Sequence, residues 1–169
     1  MKPIVTFLFR AVLSTVLALS AAASFANAPA TDAAAPKAKP DVAKGEASFA
    51  TCASCHGADG NSGTPTNPKL AQQHPEYLVK QLQEFKSGKR ANAIMIGFAS
   101  GLSEDDMKNI AFWLASNKAK TGFAKDKELV ALGERIYRGG IQDRQIAACA
   151  GCHSPTGAGI PAQYPRLSG

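Results

Sequence analysis

The chain has 169 residues, 45% of them hydrophobic, and 19 Lys and Arg against 13 Asp and Glu, for a formal charge of +6. That length holds one ordinary domain or two small ones, and small domains bury too little apolar surface to stand without disulfides, metals or cofactors. The positive charge forms no basic stripe interleaved with aromatic residues, which excludes a nucleic-acid binder.

Lys2 and Arg10 flank a charged start, and Ala11 to Ala23 is an unbroken run of apolar and small residues. The run is too short for a bilayer span, and small residues at Ser24, Ala26 and Ala28 follow it. This is the pattern of a secretory signal peptide over residues 1–28, cleaved near 26–28, with an uncleaved membrane anchor as the alternative. The mature protein is therefore expected outside the cytoplasm, in the periplasm. Residues 29–40 are Ala, Pro, Lys and Thr with almost nothing large and apolar, and read as a disordered leader.

Asp41 can cap a short helix running to Phe49. Gly57 to Asn67 is rich in Gly, Asn, Ser, Thr and Pro and reads as loop. Pro75 suits the first position of a helix carrying Leu78, Leu82 and Phe85, with Gly88 at its stop. Met95 follows in an apolar segment flanked by Gly97 and Gly101, outside any strong helical pattern, and is expected on a loop. Ser103 and Asp106 form an acidic capping box for a helix whose Met107, Ile110, Ala111 and Leu114 share one face. Lys118 and Lys120 stand near its end, where the helix dipole favours positive charge. Asp126 opens another helix through Leu129, Leu132, Ile136 and Tyr137, closed by Gly139-Gly140. No alternating strand pattern appears, so the fold class is mostly α.

An internal repeat organises these elements. Gly45-Glu46 and Gly133-Glu134 each precede a cysteine pair, Cys52/Cys55 and Cys149/Cys152. Each first cysteine lies 16 residues before a Pro-basic-Leu triplet, Pro68-Lys69-Leu70 and Pro165-Arg166-Leu167. The second copy has a longer approach to its cysteines, Arg138 to Ala148. Two tandem domains follow, 41–120 and 121–169. Only Ser168 and Gly169 come after Leu167, so the second is expected to be the N-terminal part of a domain, incomplete at its C-terminus.

The cysteine pairs carry the chemistry. Cys52-Ala53-Ser54-Cys55-His56 and Cys149-Ala150-Gly151-Cys152-His153 are both Cys-x-x-Cys-His. Two thiols three positions apart can each add to a haem vinyl group, and the adjoining His56 or His153 then faces the iron. Structural disulfides would not need a histidine after each pair, a zinc finger would not separate its pairs so widely, and a thioredoxin-like pair would follow a strand. Two covalently attached haem c groups are the reading. Met95 is the candidate distal ligand of the first iron, with core packing as its alternative, whereas Met107 belongs to the apolar face of its helix. His74, just before Pro75, could complete a bis-histidine haem, but at a helix start it more ordinarily bonds nearby backbone or a propionate. Lys80, Lys86, Lys89 and Arg90 form a basic run, either a solvated face or a dock for acidic redox partners. No methionine follows Met107 to serve the second iron. A chain ending at Gly169 is therefore expected to bind carbon monoxide at the second haem and not readily at the first.

The two haem runs, the Pro-basic-Leu triplets, Tyr77-Leu78-Val79-Lys80-Gln81-Leu82, the spacing from Met95 to Leu102-Ser103, and Gly133-Glu134-Arg135-Ile136-Tyr137-Arg138-Gly139-Gly140 together resemble the dihaem cytochrome c4 family. The resemblance covers nearly everything from Asp41 onward. It implies two class I cytochrome c-like domains related by pseudo-twofold symmetry, each with histidine and methionine ligation. Carried over by position, Cys52, Cys55, Cys149 and Cys152 hold the haems, His56 and His153 are proximal ligands, and Met95 is the first distal ligand. It also implies single-electron transfer between respiratory partners, a cytochrome bc-type complex and a terminal oxidase, often with membrane association. On this reading the chain is a carrier and not an enzyme. A dihaem peroxidase-like enzyme, which needs an open iron, and a cytochrome subunit of a dehydrogenase complex are the rivals.

Overall fold

The computed structural model describes residues 39–168. The signal peptide expected at 1–28 and nearly all of the 29–40 leader lie outside the described residues. The order is α1 (Val42–Phe49), α2 (Ala53–His56), α3 (Pro75–Lys86), α4 (Ala93–Ser100), α5 (Glu104–Ser116), α6 (Lys127–Gly139), a 3-10 turn (Gln142–Arg144) and α7 (Ala150–His153). Among the described residues, extended pairing is limited to two isolated antiparallel bridges, Ile141 with Ile146 and Ile160 with Tyr164. The mostly α expectation holds.

The helix starts are set by local side chains. Asp41 accepts from the Lys44 N–H, and Asp126 from those of Glu128 and Leu129. Ser103 and Asp106 make the reciprocal capping box, each satisfying a donor that the first turn would otherwise leave unpaired. Pro75 opens α3. The expected loop around Met95 is instead a helix, α4, because the Asn92 side chain caps it by accepting from the Met95 N–H at 3.0 Å. Its residues are apolar almost all round, so no amphipathic stripe marks it in the sequence.

The first copy is built on the crossing of α1 and α5. A Cβ at Gly45 would overlap the backbone carbonyl of Asn109 and crowd Trp113, so the two helices meet this closely only at glycine. Asp41 N–H donates to Asn109 Oδ1 at 2.8 Å beside that contact. Phe49, Leu78, Ile110, Ala111, Trp113 and Leu114 form the buried cluster, and Cys52, Ala53, Leu70, Val79 and Leu102 pack on it. The core thus reaches directly to the first cysteine. Met107 is buried on the inner face of α5.

The second copy repeats the opening helix, the cysteine turn and the loop after it. Among the described residues nothing covers the apolar face of α6: Leu129, Val130 and Leu132 are exposed, and a Cβ at Gly133 would meet open space where its counterpart Gly45 meets α5. The longer approach forms the 3-10 turn, closed by the Ile141–Ile146 bridge.

Lys120 does not serve the dipole of α5. Its ammonium pairs with Asp59 at 2.8 Å, and the chain leaving α5 is strapped to the loop after α2. Asn61 donates to the Lys118 carbonyl at 3.1 Å and accepts from the Lys120 N–H at 2.7 Å, and Gln72 accepts from the Ala119 N–H at 3.1 Å.

Candidate haem-attachment sites

Cys52 N–H donates to the Phe49 carbonyl at 2.8 Å, so the backbone passes from α1 into the cysteine turn with almost no intervening loop. His56 N–H then returns to the Cys52 carbonyl at 3.0 Å, and His153 N–H to that of Cys149 at 2.9 Å. Both thiols and the imidazole of each motif therefore lie on a single helical turn. All four cysteines are free thiols, with Cys55 and Cys152 exposed and Cys52 and Cys149 half-buried. Burial pushes the Cys52 thiol pKa up. Tyr164 stands over the second site, its ring 5.7 Å from that of His153, and the Cys152 thiol beside its hydroxyl raises the tyrosine pKa.

The Pro-basic-Leu triplets have a structural purpose that their sequence does not announce. His56 Nδ1 lies 2.9 Å from the Pro68 carbonyl oxygen, and His153 Nδ1 lies 2.9 Å from that of Pro165. A carbonyl can only accept, so Nδ1 carries a proton in each ring, and in the neutral imidazole the lone pair then falls on Nε2. That is the tautomer a metal takes, and the carbonyl fixes the ring and raises its basicity. Each proline is brought back by one loop clamp. The Gly60 carbonyl accepts from Leu70 and Ala71 N–H at 2.7 and 3.1 Å, and the Gly157 carbonyl from Leu167 and Ser168 at 2.8 and 3.1 Å. Gly60 and Gly157 hold φ of +80° and +74°, a left-handed turn that side chains resist.

Met95 is half-buried on α4, which packs against α3. His74 spends its Nε2 on the Ala158 carbonyl at 2.6 Å, a partner in the second copy where nearby backbone was expected. The basic run is largely engaged within its own surface. Lys80 and Lys89 both approach Glu84, and Arg90 bonds Gln81 while lying over the Phe85 ring. Sequence reasoning missed Gln73, which bridges to Arg166, and Tyr137, whose hydroxyl donates to the Ser154 carbonyl at 2.6 Å behind the second cysteine turn. It also missed Asp59, held down to a pKa of about 2, first by the Lys120 ammonium and then by the Asn61 N–H.

Free thiol pairs beside a histidine with a bare Nε2 are the donor set that covalent haem c requires. A family model described as Cytochrome c matches residues 42–118. Cytochrome c4 of Pseudomonas aeruginosa is 48% identical over 130 residues, 76% of this chain and 64% of that protein. The chain thus spans just under two-thirds of the length of this curated relative. The crystal structure of reduced recombinant cytochrome c4 from Pseudomonas stutzeri matches with a TM-score of 0.70 at 40% identity, covering 76% of this chain and 73% of that one. The chain belongs to the cytochrome c4 family. As in other c-type cytochromes, haem c in a cytochrome c4 is held covalently through such cysteines. The family's class I helical fold is the one described above, with α1 to α5 in the first copy and α6 and α7 in the second. A protein named thiosulfate dehydrogenase electron acceptor, from Stutzerimonas stutzeri, is also similar, 36% identical over 121 residues, 70% of this chain and 56% of that protein. Among the described residues no helix is long and apolar enough to cross a membrane.

Proposed function

We propose that the chain binds two haem c groups and carries single electrons between redox proteins of an exported respiratory chain. The observation that carries this reading is the duplication at the two sites: the same thiol pair, the same histidine and the same 2.9 Å bond to a proline carbonyl. Cys52, Cys55 and His56 hold the first haem, and Cys149, Cys152 and His153 the second. Met95 offers its thioether as the first distal ligand. When bound, the haem iron supplies the one-electron couple.

The remaining work belongs to the protein. Pro68 and Pro165 keep the proximal rings oriented and their Nδ1 atoms protonated. The core against Cys52 and Ala53 keeps the first turn rigid, so little reorganises when charge changes. Ile94 and Phe98, exposed on the same helix as Met95, supply apolar surface suited to a porphyrin wall. Histidine with a thioether leaves no position for a substrate at the first iron, which favours a carrier over a peroxidase-like enzyme. The signal-like segment 1–28 supports a periplasmic location, with a cytochrome bc-type complex as donor and a terminal oxidase as acceptor.

Denatured protein produced alongside a haem-attachment system should show a mass increase of two haems. Apoprotein containing two disulfides would overturn the reading. A second reading, favoured by the likeness to thiosulfate dehydrogenase electron acceptors, is that the donor is a periplasmic dehydrogenase. Stopped-flow reduction by a purified thiosulfate dehydrogenase, compared with reduction by a bc-type complex, separates the two.

A further inference from the structure

Gln73 lies two residues before α3 in the first copy and reaches the second. Its Oε1 accepts from the Arg166 N–H at 2.8 Å and from the His74 N–H at 3.0 Å, and its Nε2 donates to the Arg166 carbonyl at 3.1 Å. The Arg166 N–H belongs to the same peptide group as the Pro165 carbonyl. That carbonyl is the acceptor, at 2.9 Å, for His153 Nδ1. A continuous line of hydrogen bonds therefore runs from Gln73 Oε1 through the Pro165–Arg166 peptide to the imidazole of His153. The equivalent first-copy peptide, Pro68–Lys69, holds His56, but among the described residues no side chain accepts from the Lys69 N–H.

We infer that Gln73 is a positioning residue for the second haem, lowering its reduction potential from the neighbouring copy through the Pro165–Arg166 peptide and His153. The inference rests on the dihaem reading above. The physical cause is polarisation along a hydrogen-bond chain. An acceptor on a peptide N–H makes the carbonyl of that peptide more negative, and each bond in such a chain strengthens the next. A more negative Pro165 carbonyl pulls harder on the Nδ1 proton of His153, making its Nε2 a stronger donor to iron. A stronger donor favours the ferric state, so the potential falls. Because no described side chain does this at Lys69, the effect separates the two haems, and it exists only while the two copies stay docked.

The test compares two variants of the haem-loaded chain. Gln73→Met keeps the length and bulk of the side chain but removes Oε1 and Nε2. His74→Ala removes the other bridge between the copies, from Nε2 to the Ala158 carbonyl, and leaves the Pro165–Arg166 peptide untouched. The second haem is assigned as the couple that disappears in the double variant Cys149→Ser, Cys152→Ser.

Gln73→Met should raise the second potential by a roughly two- to tenfold shift in the reduction equilibrium, about 20 to 60 mV at about 59 mV per decade for one electron. The first potential should stay put, His74→Ala should move neither, and the Arg166 amide proton should move upfield in Gln73→Met alone. If the Met variant fails to load haem, Gln73→Asn, which withdraws the acceptor by one methylene, should shift the second potential in the same direction. A second potential that stays fixed while the Arg166 amide moves would overturn the inference. So would equal shifts in Gln73→Met and His74→Ala, which would make both residues simple docking contacts. A wild-type chain carrying only one haem by mass would defeat the functional reading instead, so the two failures are distinguishable.

Discussion

Phe49 and Trp113 meet with ring centroids 4.9 Å apart and planes tilted by 41°, joining α1 to α5 directly beneath Cys52. This pair is how the packing of the first copy reaches its cysteine turn. Both rings are buried, and the crossing that brings them together depends on Gly45. Trp113→Ala should cost about 3–5 kcal/mol, the usual loss for a large aromatic side chain removed from a core. Gly45→Ala adds only a methyl group yet should cost about 1–3 kcal/mol, because the atoms it meets are backbone that cannot turn aside. Urea unfolding of the haem-loaded chain, followed by circular dichroism, measures both.

Replacing Met95 with Ala should abolish the ferric methionine-to-iron charge-transfer band of the first haem and lower its potential, since thioether ligation favours the ferrous state. Met107→Ala should leave that band in place and cost about 2–5 kcal/mol of stability, because Met107 is fully buried in the core. Absorption spectra and thermal melts of the two variants give opposite patterns, and an exchange of the two outcomes would assign the ligand to Met107.

The strap between Asp59 and Lys120 should respond to acid. Asp59 has its pKa lowered from 3.8 to about 2 in the folded chain, with the Lys120 ammonium as the main cause. A depressed carboxylate contributes its stabilisation fully above the unfolded pKa, and the contribution is lost as pH falls through the folded value. The strap therefore contributes above about pH 4 and is lost between about pH 4 and about pH 2. The Lys120 ammonium and the Asn61 N–H are the groups facing it. In acid titrations followed by NMR, the Lys118–Lys120 amides should move with this midpoint, and Asp59→Asn should remove the transition.

Tyr137→Phe should selectively loosen the second cysteine turn. Its hydroxyl donates to the Ser154 carbonyl at 2.6 Å, whereas its first-copy counterpart Phe49 acts through ring packing alone. Loss of one hydrogen bond costs about 0.5–1.5 kcal/mol. Amide exchange should accelerate across Ala150–His153 while that of Ala53–His56 stays unchanged.

Much of this protein was legible along the chain because the signals are local. Caps at Asp41, Ser103 and Asp126 set helix starts within a few residues, and Cys-x-x-Cys-His places thiols and imidazole on one turn by spacing alone. The repeat exposed the duplication of the cysteine turn. Tertiary structure decided the rest. The helix at Met95 was invisible because its residues are apolar without a stripe, and its cap is a single Asn92. The bonds of Gln73 to Arg166, His74 to Ala158 and Lys120 to Asp59 join residues 93, 84 and 61 positions apart in the numbering, where no periodicity links them. A polar pair of that kind forms only when separate elements have packed, so its two members carry no mark of each other in the sequence.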